Sequence, residues 1–433
     1  MLVTSSFGFI FWWLAARDFP ADTVGLASAI ISAMLLLGTI GILGLGTLLI
    51  GELPRQQAKQ TSIIMTALMI VGLAGWVLGL LYAVAIPWFL PDFRELNQSI
   101  GSVLVFSLGV SLTSIGIVLD QALIGLLRGG VQLLRNTIFS LVKLIALFFT
   151  GLVLTRVTGQ TIYLTWMVGN IISISYIGWL FLKKGYKFRS YRPEWGILRN
   201  LSRSALSHHI LNLTIQSPNL LLPVIVTVIL SSRMNAYFYA AWMIANFAFS
   251  GPVALTTVLY AIGAADPSIL ASKMRLTLRL SLIVGLLANL ILFLGAKFVL
   301  GLFPPSYAEN ASWCLRLLGL GFFPLIIKNH FVANCRIKNK IIQAEYLTAI
   351  GALGELIIAA IGAKLGGLTG LSIGWLIGLS LEAILMSPAV YRAATATEVK
   401  FDLPHTDNDL LLVNSDHVSI QEKGTNKFKI PPK

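Results

Sequence analysis

Long apolar segments, separated by short polar turns, fill almost the whole of this chain. A transmembrane helix needs about 20 consecutive and mostly apolar residues, and segments of this size recur from the first residue to about residue 391. The pattern predicts an all-α polytopic membrane protein with about twelve transmembrane helices. The first span is short and has no polar flank before it, which indicates an incomplete N-terminus. The predicted spans lie near 1–17, 24–50, 61–90, 99–127, 131–155, 160–182, 207–231, 234–262, 276–303, 311–335, 341–363 and 366–391.

Lys and Arg residues are concentrated in every second turn between these spans. The alternate turns have about one basic residue each: Arg17, Arg94, Arg156, Arg233 and Lys364. Cytoplasmic loops of membrane proteins are enriched in Lys and Arg, so the basic turns are predicted to be cytoplasmic. With twelve spans, both termini would then lie in the cytoplasm of a multi-pass protein of the cell (plasma or inner) membrane. The basic turns contain Arg55 and Lys59, then Arg128 and Arg135, then seven basic residues between 183 and 203, then Lys273, Arg275 and Arg279, and finally Arg336, Lys338 and Lys340.

One long basic segment divides the chain into two halves of similar length. We assign residues 1–182 to an N-terminal six-helix lobe and residues 207–391 to a C-terminal six-helix lobe, with a cytoplasmic linker at 183–206. Two halves with six spans each are typical of transporters built from internal repeats. Residues 392–433 are polar, have no helical period and are predicted to form a mostly disordered cytoplasmic tail.

The composition excludes several classes of function. Of the 433 residues, 56% are hydrophobic and 12% are charged, whereas a soluble domain has about 25% charged residues. The net charge of +14 does not indicate nucleic-acid binding, because the basic residues lie in short loops between spans. Cys314 and Cys335 would be about 30 Å apart on a continuous helix, so neither a disulfide nor a metal site is predicted. We find no catalytic or phosphate-binding motif, and we expect a transporter without a cofactor rather than an enzyme.

Charged residues inside the spans are the first candidates for a functional site, because a charge at the bilayer centre is costly. Asp120 and Lys143 flank the turn at Gly129–Gly130, and Lys328 and Glu345 flank the corresponding turn of the second half. The rise of a helix places the members of each couple at similar depths. We expect Asp120 and Lys143 to pair or to share a cavity wall, with Lys328 and Glu345 in the inverted arrangement. The alternative for each is a purely structural ion pair, as it is for the two further acids in spans, Glu355 and Glu382.

Span seven has a polar face. Asn212, Gln216 and Asn219 have i, i+4, i+7 spacing, so they share one side of a helix. Pro218 and Pro223 should bend this helix, which makes them candidate gating residues. A polar face on a proline-broken helix is typical of a cavity wall, and the alternative is hydrogen bonding between packed helices.

Three segments of the chain resemble a known family. They read ARDFPADTVGLASAI, LDQALIGLLRGGVQLLRNTIFSLVKL and HHILNLTIQSPNLLLPVIVTVILSSRMNAYFYAAWMIA. The sequence around them is similar to the oligosaccharide and polysaccharide (O-antigen type) flippases of the multidrug/oligosaccharidyl-lipid/polysaccharide exporter superfamily. The resemblance covers roughly residues 1–390, and the chain departs from the family pattern at its short first span.

The resemblance implies two six-helix lobes around a central cavity, with alternating access that moves a lipid-linked oligosaccharide to the outer leaflet. In such a flippase, Lys143 and Lys328 would attract the pyrophosphate of the polyprenyl carrier. Arg128 and Arg135 would draw the headgroup in at the cavity mouth. The buried acids would keep these bases from holding the substrate too tightly, and one would carry a coupling H⁺ or Na⁺. Membrane lipids and glycan polymerases or glycosyltransferases are the expected partners.

Two other functions stay open at this point. A cation-coupled multidrug exporter of the same superfamily should have a site dominated by acids and aromatic residues, whereas here bases lie as deep as acids. A membrane-embedded glycosyltransferase or polymerase should need a carboxylate in an outer loop, where Asp92 and Glu95 form the close acidic pair.

Overall fold

The computed structural model describes residues 2–54, 56, 59–154, 157–183, 195–196 and 203–396. These ranges contain thirteen α-helices and no strand. Short 3-10 helices at Pro91–Asn97 and Pro267–Ile269 join some of them. The α-helices are α1 (Leu2–Asp18), α2 (Ala21–Ile40), α3 (Leu45–Glu52), α4 (Gln60–Phe89), α5 (Ile100–Gly125), α6 (Gly129–Val153), α7 (Gly159–Lys183), α8 (Arg203–Ile229), α9 (Ser232–Ala265), α10 (Leu270–Leu300), α11 (Pro305–Leu320), α12 (Phe322–Ile337) and α13 (Ile341–Thr395).

The predicted all-α membrane fold is confirmed. Ten helical stretches in the described residues are long and apolar enough to cross a membrane. The last of them, α13, has 55 residues and is interrupted by non-helical backbone at Gly366 and Gly367, where Gly367 has φ 59°. A left-handed φ suits glycine, because glycine has no Cβ to clash. The interruption divides α13 into two legs, so these legs, α1 and the other nine stretches account for the twelve predicted spans.

The second predicted span, 24–50, is not one helix. The chain leaves the helical conformation between α2 and α3, where Leu43 has φ 53° and Gly44 has φ 79°. The prediction of a continuous span was wrong here because apolar composition is uniform across the break. The sequence offers only scattered glycines as a signal, and glycine is common in membrane helices.

The helices form two lobes. In the first lobe α4 packs on α5, α6 packs on α7 and α1, and α2 packs on α5. In the second lobe α13 packs on α8 and α12, while α10 packs on α11. The lobes meet where α2 contacts α8 and α9. Most of the predicted linker at 183–206 and the tail beyond residue 396 lie outside the described residues, and residues 392–395 still belong to α13.

The two ends of the bundle differ in charge. We call the end that includes the Lys59, Arg128 and Lys338 turns the basic end, and the other the opposite end. At the opposite end the lobes are joined, because Asn235 Nδ2 donates to the carbonyl oxygen of Gly25 at 2.8 Å. A Cβ on Gly25 would lie 1.6 Å from the carbonyl oxygen of Ser232, so only glycine allows α2 and α9 to approach this closely.

Candidate functional site

A cavity of about 680 Å³ lies between the lobes. This volume is within the range of about 300–1,000 Å³ that is usual for small-molecule sites. Lys143 is the one charged residue among the described residues that line it, and Asn219 and Asn246 contribute amide groups. The wall is therefore aromatic and polar with a net positive charge. The aromatic side chains that line the cavity are Phe9, Trp12, Trp166, Tyr239, Trp242 and Phe247.

Lys143 lies in a cage of aromatic rings. Its Nζ is 3.6 Å from the ring centre of Trp166, 4.8 Å from that of Phe139 and 5.0 Å from that of Phe11. Within the described residues, no carboxylate pairs with this ammonium group. The cage forms because α6 and α7 pack tightly at Gly169, where a Cβ would lie 2.9 Å from the carbonyl oxygen of Phe139. The result is a buried cation whose charge no acid neutralises.

Asp120 is paired with Arg135 and not with Lys143. The guanidinium donates twice to the carboxylate, from Nε and from Nη2, and both distances are 2.6 Å. Asn136 adds a third hydrogen bond at 3.1 Å. Arg135 lies two helical turns closer to the α5–α6 connection than Lys143 does, and its planar fork suits a carboxylate better than a lysine does. The predicted Asp120–Lys143 pair was therefore wrong, and so was the alternative that both share the cavity wall, because Asp120 is not one of the lining residues.

The two arginines predicted at the cavity mouth have other surroundings. Arg135 is 5% exposed and is held by Asp120 inside the first lobe. Arg128 precedes α6 at the basic end, where its guanidinium carbon is 5.5 Å from the ring centre of Phe181. Neither residue lines the cavity.

Lys328 is enclosed in the second lobe. Its Nζ donates to Glu355 Oε1 and to Glu382 Oε2, both at 2.8 Å. The expected partner, Glu345, is half-buried and forms no ion pair within the described residues. The buried side of the first leg of α13 includes Ala344, Thr348, Ala352 and Glu355. Glu345 lies one residue, or about 100° of helix rotation, off this side, which explains why the predicted Lys328–Glu345 couple was wrong.

The polar face of α8 is divided along its length. Asn219 is exposed, lines the cavity and accepts hydrogen bonds from Trp242 Nε1 and, at 3.1 Å, from Asn246 Nδ2. Gln216 is exposed without being one of the lining residues. Asn212 is half-buried and accepts a hydrogen bond of 2.6 Å from Arg336 Nη2.

Pro218 and Pro223 do not interrupt α8. Pro218 has no N–H for the carbonyl oxygen of Thr214, and that oxygen instead accepts the hydroxyl of Ser217 at 2.9 Å. Neighbouring hydroxyls commonly replace backbone donors in this way in membrane helices. A gating role for the two prolines stays a prediction.

The aromatic part of the site was not predicted from the sequence. Trp166, Tyr239 and Trp242 carry no pattern that separates a cavity wall from ordinary membrane-helix composition. Asn246 was the one usable signal, because a polar amide in the middle of a long apolar span needs a partner.

No protein-family model matches the chain, and no curated protein sequence matches it significantly. Solved structures do match in fold. The inward-facing conformation of a multidrug resistance MATE family transporter of the MOP superfamily superimposes with a TM-score of 0.71 and 17% identity, covering 92% of this chain and 96% of the other. A MOP superfamily transporter from Pyrococcus furiosus Vc1 (DSM3638), described as having a binding pocket of reverse polarity that suggests a different function, superimposes with a TM-score of 0.62 and 15% identity over 92% and 94% of the two chains.

An outward-facing MATE family structure superimposes less well, with a TM-score of 0.59 and 16% identity over 92% of this chain and 94% of the other. The chain thus has the fold of the MATE transporters of the MOP superfamily. The TM-score is higher for the inward-facing structure than for the outward-facing one.

Proposed function

We propose that this chain is an alternating-access transporter that exports an amphipathic anion. The observation that carries the proposal is the charge of the cavity wall. Lys143 is the one charged residue among the described residues that line the cavity, and no acid neutralises it. An anionic group can therefore pair with Lys143 in a site where the low dielectric strengthens the attraction. The aromatic side chains around it offer apolar contact to the rest of the substrate.

The exposure of α9 supports access from the basic end. Between Ala236 and Ala245 its side chains are mostly buried, whereas Phe247 and Ser250, further towards the basic end, are exposed. Positively charged turns mark the cytoplasmic side, so the substrate would enter from the cytoplasm. Rocking of the two lobes would then open the joined end and release it outside.

The substrate that we propose within this class is a lipid-linked oligosaccharide. Its polyprenyl pyrophosphate would bind near Lys143, and its sugars would contact the amides of Asn219 and Asn246. Glycan polymerases or glycosyltransferases would act before or after this step. A coupling cation, H⁺ or Na⁺, completes the proposal.

A second candidate is a cation-coupled multidrug exporter. The names of the structural neighbours favour it, because two of them are described as multidrug resistance transporters. The aromatic wall also suits flat organic cations. The position of Lys143 argues against it, because an uncompensated ammonium group in the wall repels a cationic drug.

Flux through the purified protein in liposomes separates the two candidates. A fluorescent polyprenyl-pyrophosphate oligosaccharide and a fluorescent cationic drug would be offered to the wild-type protein and to the Lys143→Gln variant. We expect the wild-type protein to move the anion and Lys143→Gln to lose at least about nine-tenths of that flux, which is about 1.4 kcal/mol or more of binding. Lys297→Gln is the matched control, because Lys297 is exposed and outside the cavity. Flux of the drug without flux of the anion would establish the second candidate instead.

A further inference from the structure

The cluster around Lys328 has more acid than base. Lys328 Nζ contacts one oxygen of Glu355 and one of Glu382, and the three side chains are 3%, 2% and 1% exposed. Trp375 Nε1 donates to the second oxygen of Glu355 at 2.8 Å. If both carboxyl groups were ionised, a dry part of the lobe would hold an unbalanced negative charge. Such a charge is costly to bury, and a buried acid next to another acid retains a proton instead.

One oxygen in the cluster has no hydrogen-bond donor. Glu382 Oε1 is fully buried and unpartnered among the described residues, whereas the other three carboxyl oxygens are occupied by Lys328 and Trp375. An ionised carboxylate needs donors at both oxygens, but a carboxylic acid uses one oxygen as a donor itself. The donorless Oε1 of Glu382 therefore suits a protonated carboxyl group better than a second buried carboxylate.

The space around Glu382 is too small for a divalent metal ion with its usual set of ligands. A Cβ on Gly351 would lie 2.2 Å from the Glu382 carboxyl carbon, so the backbone of the first leg of α13 is packed directly against this group. Cations such as Mg²⁺ and Ca²⁺ need about six or more oxygen ligands, and one free oxygen remains here. The described residues contain no group of three His, Cys, Asp or Glu side chains that could hold a metal.

Other titratable groups near α13 face elsewhere. His330 of α12 contacts Thr277 of α10 at 3.0 Å, and Cys314 of α11 accepts a hydrogen bond from Ser372. Arg275 of α10 donates to the carbonyl oxygen of Ala394, and Arg336 of α12 donates to Asn212 of α8. Among the described residues, the charged side chain that contacts Glu382 is therefore Lys328, whose ammonium group also contacts Glu355.

A continuous set of contacts joins this cluster to the cavity. Trp375, which donates to Glu355, packs edge-on against Trp242 with 5.0 Å between the ring centres. Trp242 in turn donates to Asn219, and both line the cavity. We propose that the Lys328–Glu355–Glu382 cluster is a buried proton-binding site, with the proton on Glu382, and that Trp375 and Trp242 link its occupancy to substrate binding. The linkage rests on the transport function proposed above, whereas the bound proton does not.

The first test reads the proton directly. Infrared spectra of the full-length protein in lipid, prepared with ¹³C-carboxyl glutamate, should contain a protonated carboxyl band at neutral pH. We expect Glu382→Gln to lose this band and Glu345→Gln, a half-buried acid outside the cluster, to keep it. Absence of the band from the wild-type protein, or its survival in Glu382→Gln, would overturn the proton site whatever the protein transports.

The second test measures the affinity of the protein for an anionic probe, farnesyl pyrophosphate, as a function of pH. Loss of the proton adds a negative charge to the cluster and should shift Trp375 and, through it, Trp242 in the cavity wall, so the affinity for the anion should fall as the pH rises. Linkage between two sites commonly amounts to about fivefold or more. The fall should be at least about fivefold smaller in Glu382→Gln and in Trp375→Phe, which keeps the ring but removes the donor to Glu355. Trp179→Phe, an exposed tryptophan on α7, should behave as the wild-type protein.

The outcomes are distinguishable. An unchanged pH dependence in both variants would overturn the linkage. If the wild-type protein binds no anionic probe at any pH, the proposed function fails, and the infrared band still decides whether Glu382 holds a proton. If Glu382→Gln does not fold, the wild-type infrared band and the Trp375→Phe titration decide the two parts of the proposal.

Discussion

Lys143 shows how a single charge can be kept inside a membrane protein without an acid. A lysine at the centre of a membrane helix costs about 2.5–3.5 kcal/mol on the insertion scale. A desolvated cation–π contact contributes about 2 kcal/mol, so the rings of Trp166, Phe139 and Phe11 offset most of that cost. Lys143 therefore has no acidic partner among the described residues, and an anion that enters the cavity would favour its protonated form.

Replacing Lys143 by Met should separate stability from function. The cation–π contacts stabilise Lys143 by about as much as its burial destabilises the protein. The Met variant, which has neither effect, should therefore unfold at the same temperature as the wild-type protein or at a higher one. Thermal unfolding in detergent measures this directly. A fall of the unfolding midpoint by 10 °C or more would mean that Lys143 is a structural residue.

Breaking the Asp120–Arg135 pair should be much more harmful. Asp120→Ala leaves Arg135 buried without a counter-charge, which should cost about 3–5 kcal/mol of unfolding free energy. The double variant Asp120→Leu with Arg135→Met should recover most of this loss. Asp22→Ala is the control, because the Asp22–Arg233 pair is 54% and 63% exposed and an exposed pair contributes at most about 1 kcal/mol. A single Asp120→Ala variant as stable as Asp22→Ala would contradict a structural role for the buried pair.

For individual side chains, the charged residues inside the spans could be predicted from the sequence, but their partners could not. The depth of a residue in the bundle follows from the number of residues between it and the nearest turn. This count correctly placed Asp120, Lys143 and Lys328 inside the bundle. The direction of each side chain around the helix axis depends on packing, and one residue of offset excluded Glu345 from the cluster that Glu355 joins. Glu355 and Glu382 were predicted as acids within spans, but not as partners of Lys328.

Helix α8 of the second lobe contributes both to the cavity wall and to contacts inside its own lobe. The helix continues through its two prolines without interruption. Of its polar side chains, Asn219 lines the cavity and Asn212 accepts a hydrogen bond from Arg336. Sequence periodicity predicted the shared polar face, because i, i+4, i+7 spacing is local. Periodicity could not predict that Arg336, assigned to a cytoplasmic turn, reaches back to Asn212.

Single cysteines on α8 test this division. In a background with Cys314 and Cys335 replaced, cysteines at positions 216 and 219 should react with a small hydrophilic thiol reagent, because Gln216 and Asn219 are exposed. Cysteines in place of Leu211 and Leu222 should stay unreacted, because both leucines are 0% exposed. Absence of reaction at positions 216 and 219 as well would show that this face does not line a water-accessible space.

For the whole molecule, the alternation of basic turns and the long central segment predicted two six-helix halves, but the conformational state was beyond the sequence. That state depends on contacts between distant residues, such as Asn235 with Gly25 and Ser28. These contacts must separate if the opposite end opens during transport.

Gly25→Ala should weaken the joined end. The added Cβ would lie 1.6 Å from Ser232 O, which forces α2 away from α9. Spin labels on the exposed residues Asp92 and Glu309, one on each lobe at the opposite end, should then show a longer distance or a second, longer population. Gly178→Ala, where no atom lies within 4 Å of the added Cβ, should leave the distance unchanged. An identical distance distribution in both variants would contradict a tight lobe contact at Gly25.

In the proposed function, Lys143 makes the cavity a site for an amphipathic anion. The most direct measurement compares the equilibrium affinity of the wild-type protein and of Lys143→Gln for two probes with the same apolar tail, farnesyl phosphate and a farnesyl quaternary amine. The wild-type protein should bind the phosphate at least about tenfold more tightly than the amine, a difference of about 1.4 kcal/mol, and Lys143→Gln should lose this preference. Tighter binding of the amine by the wild-type protein, or a preference for the phosphate that survives in Lys143→Gln, would contradict the claim.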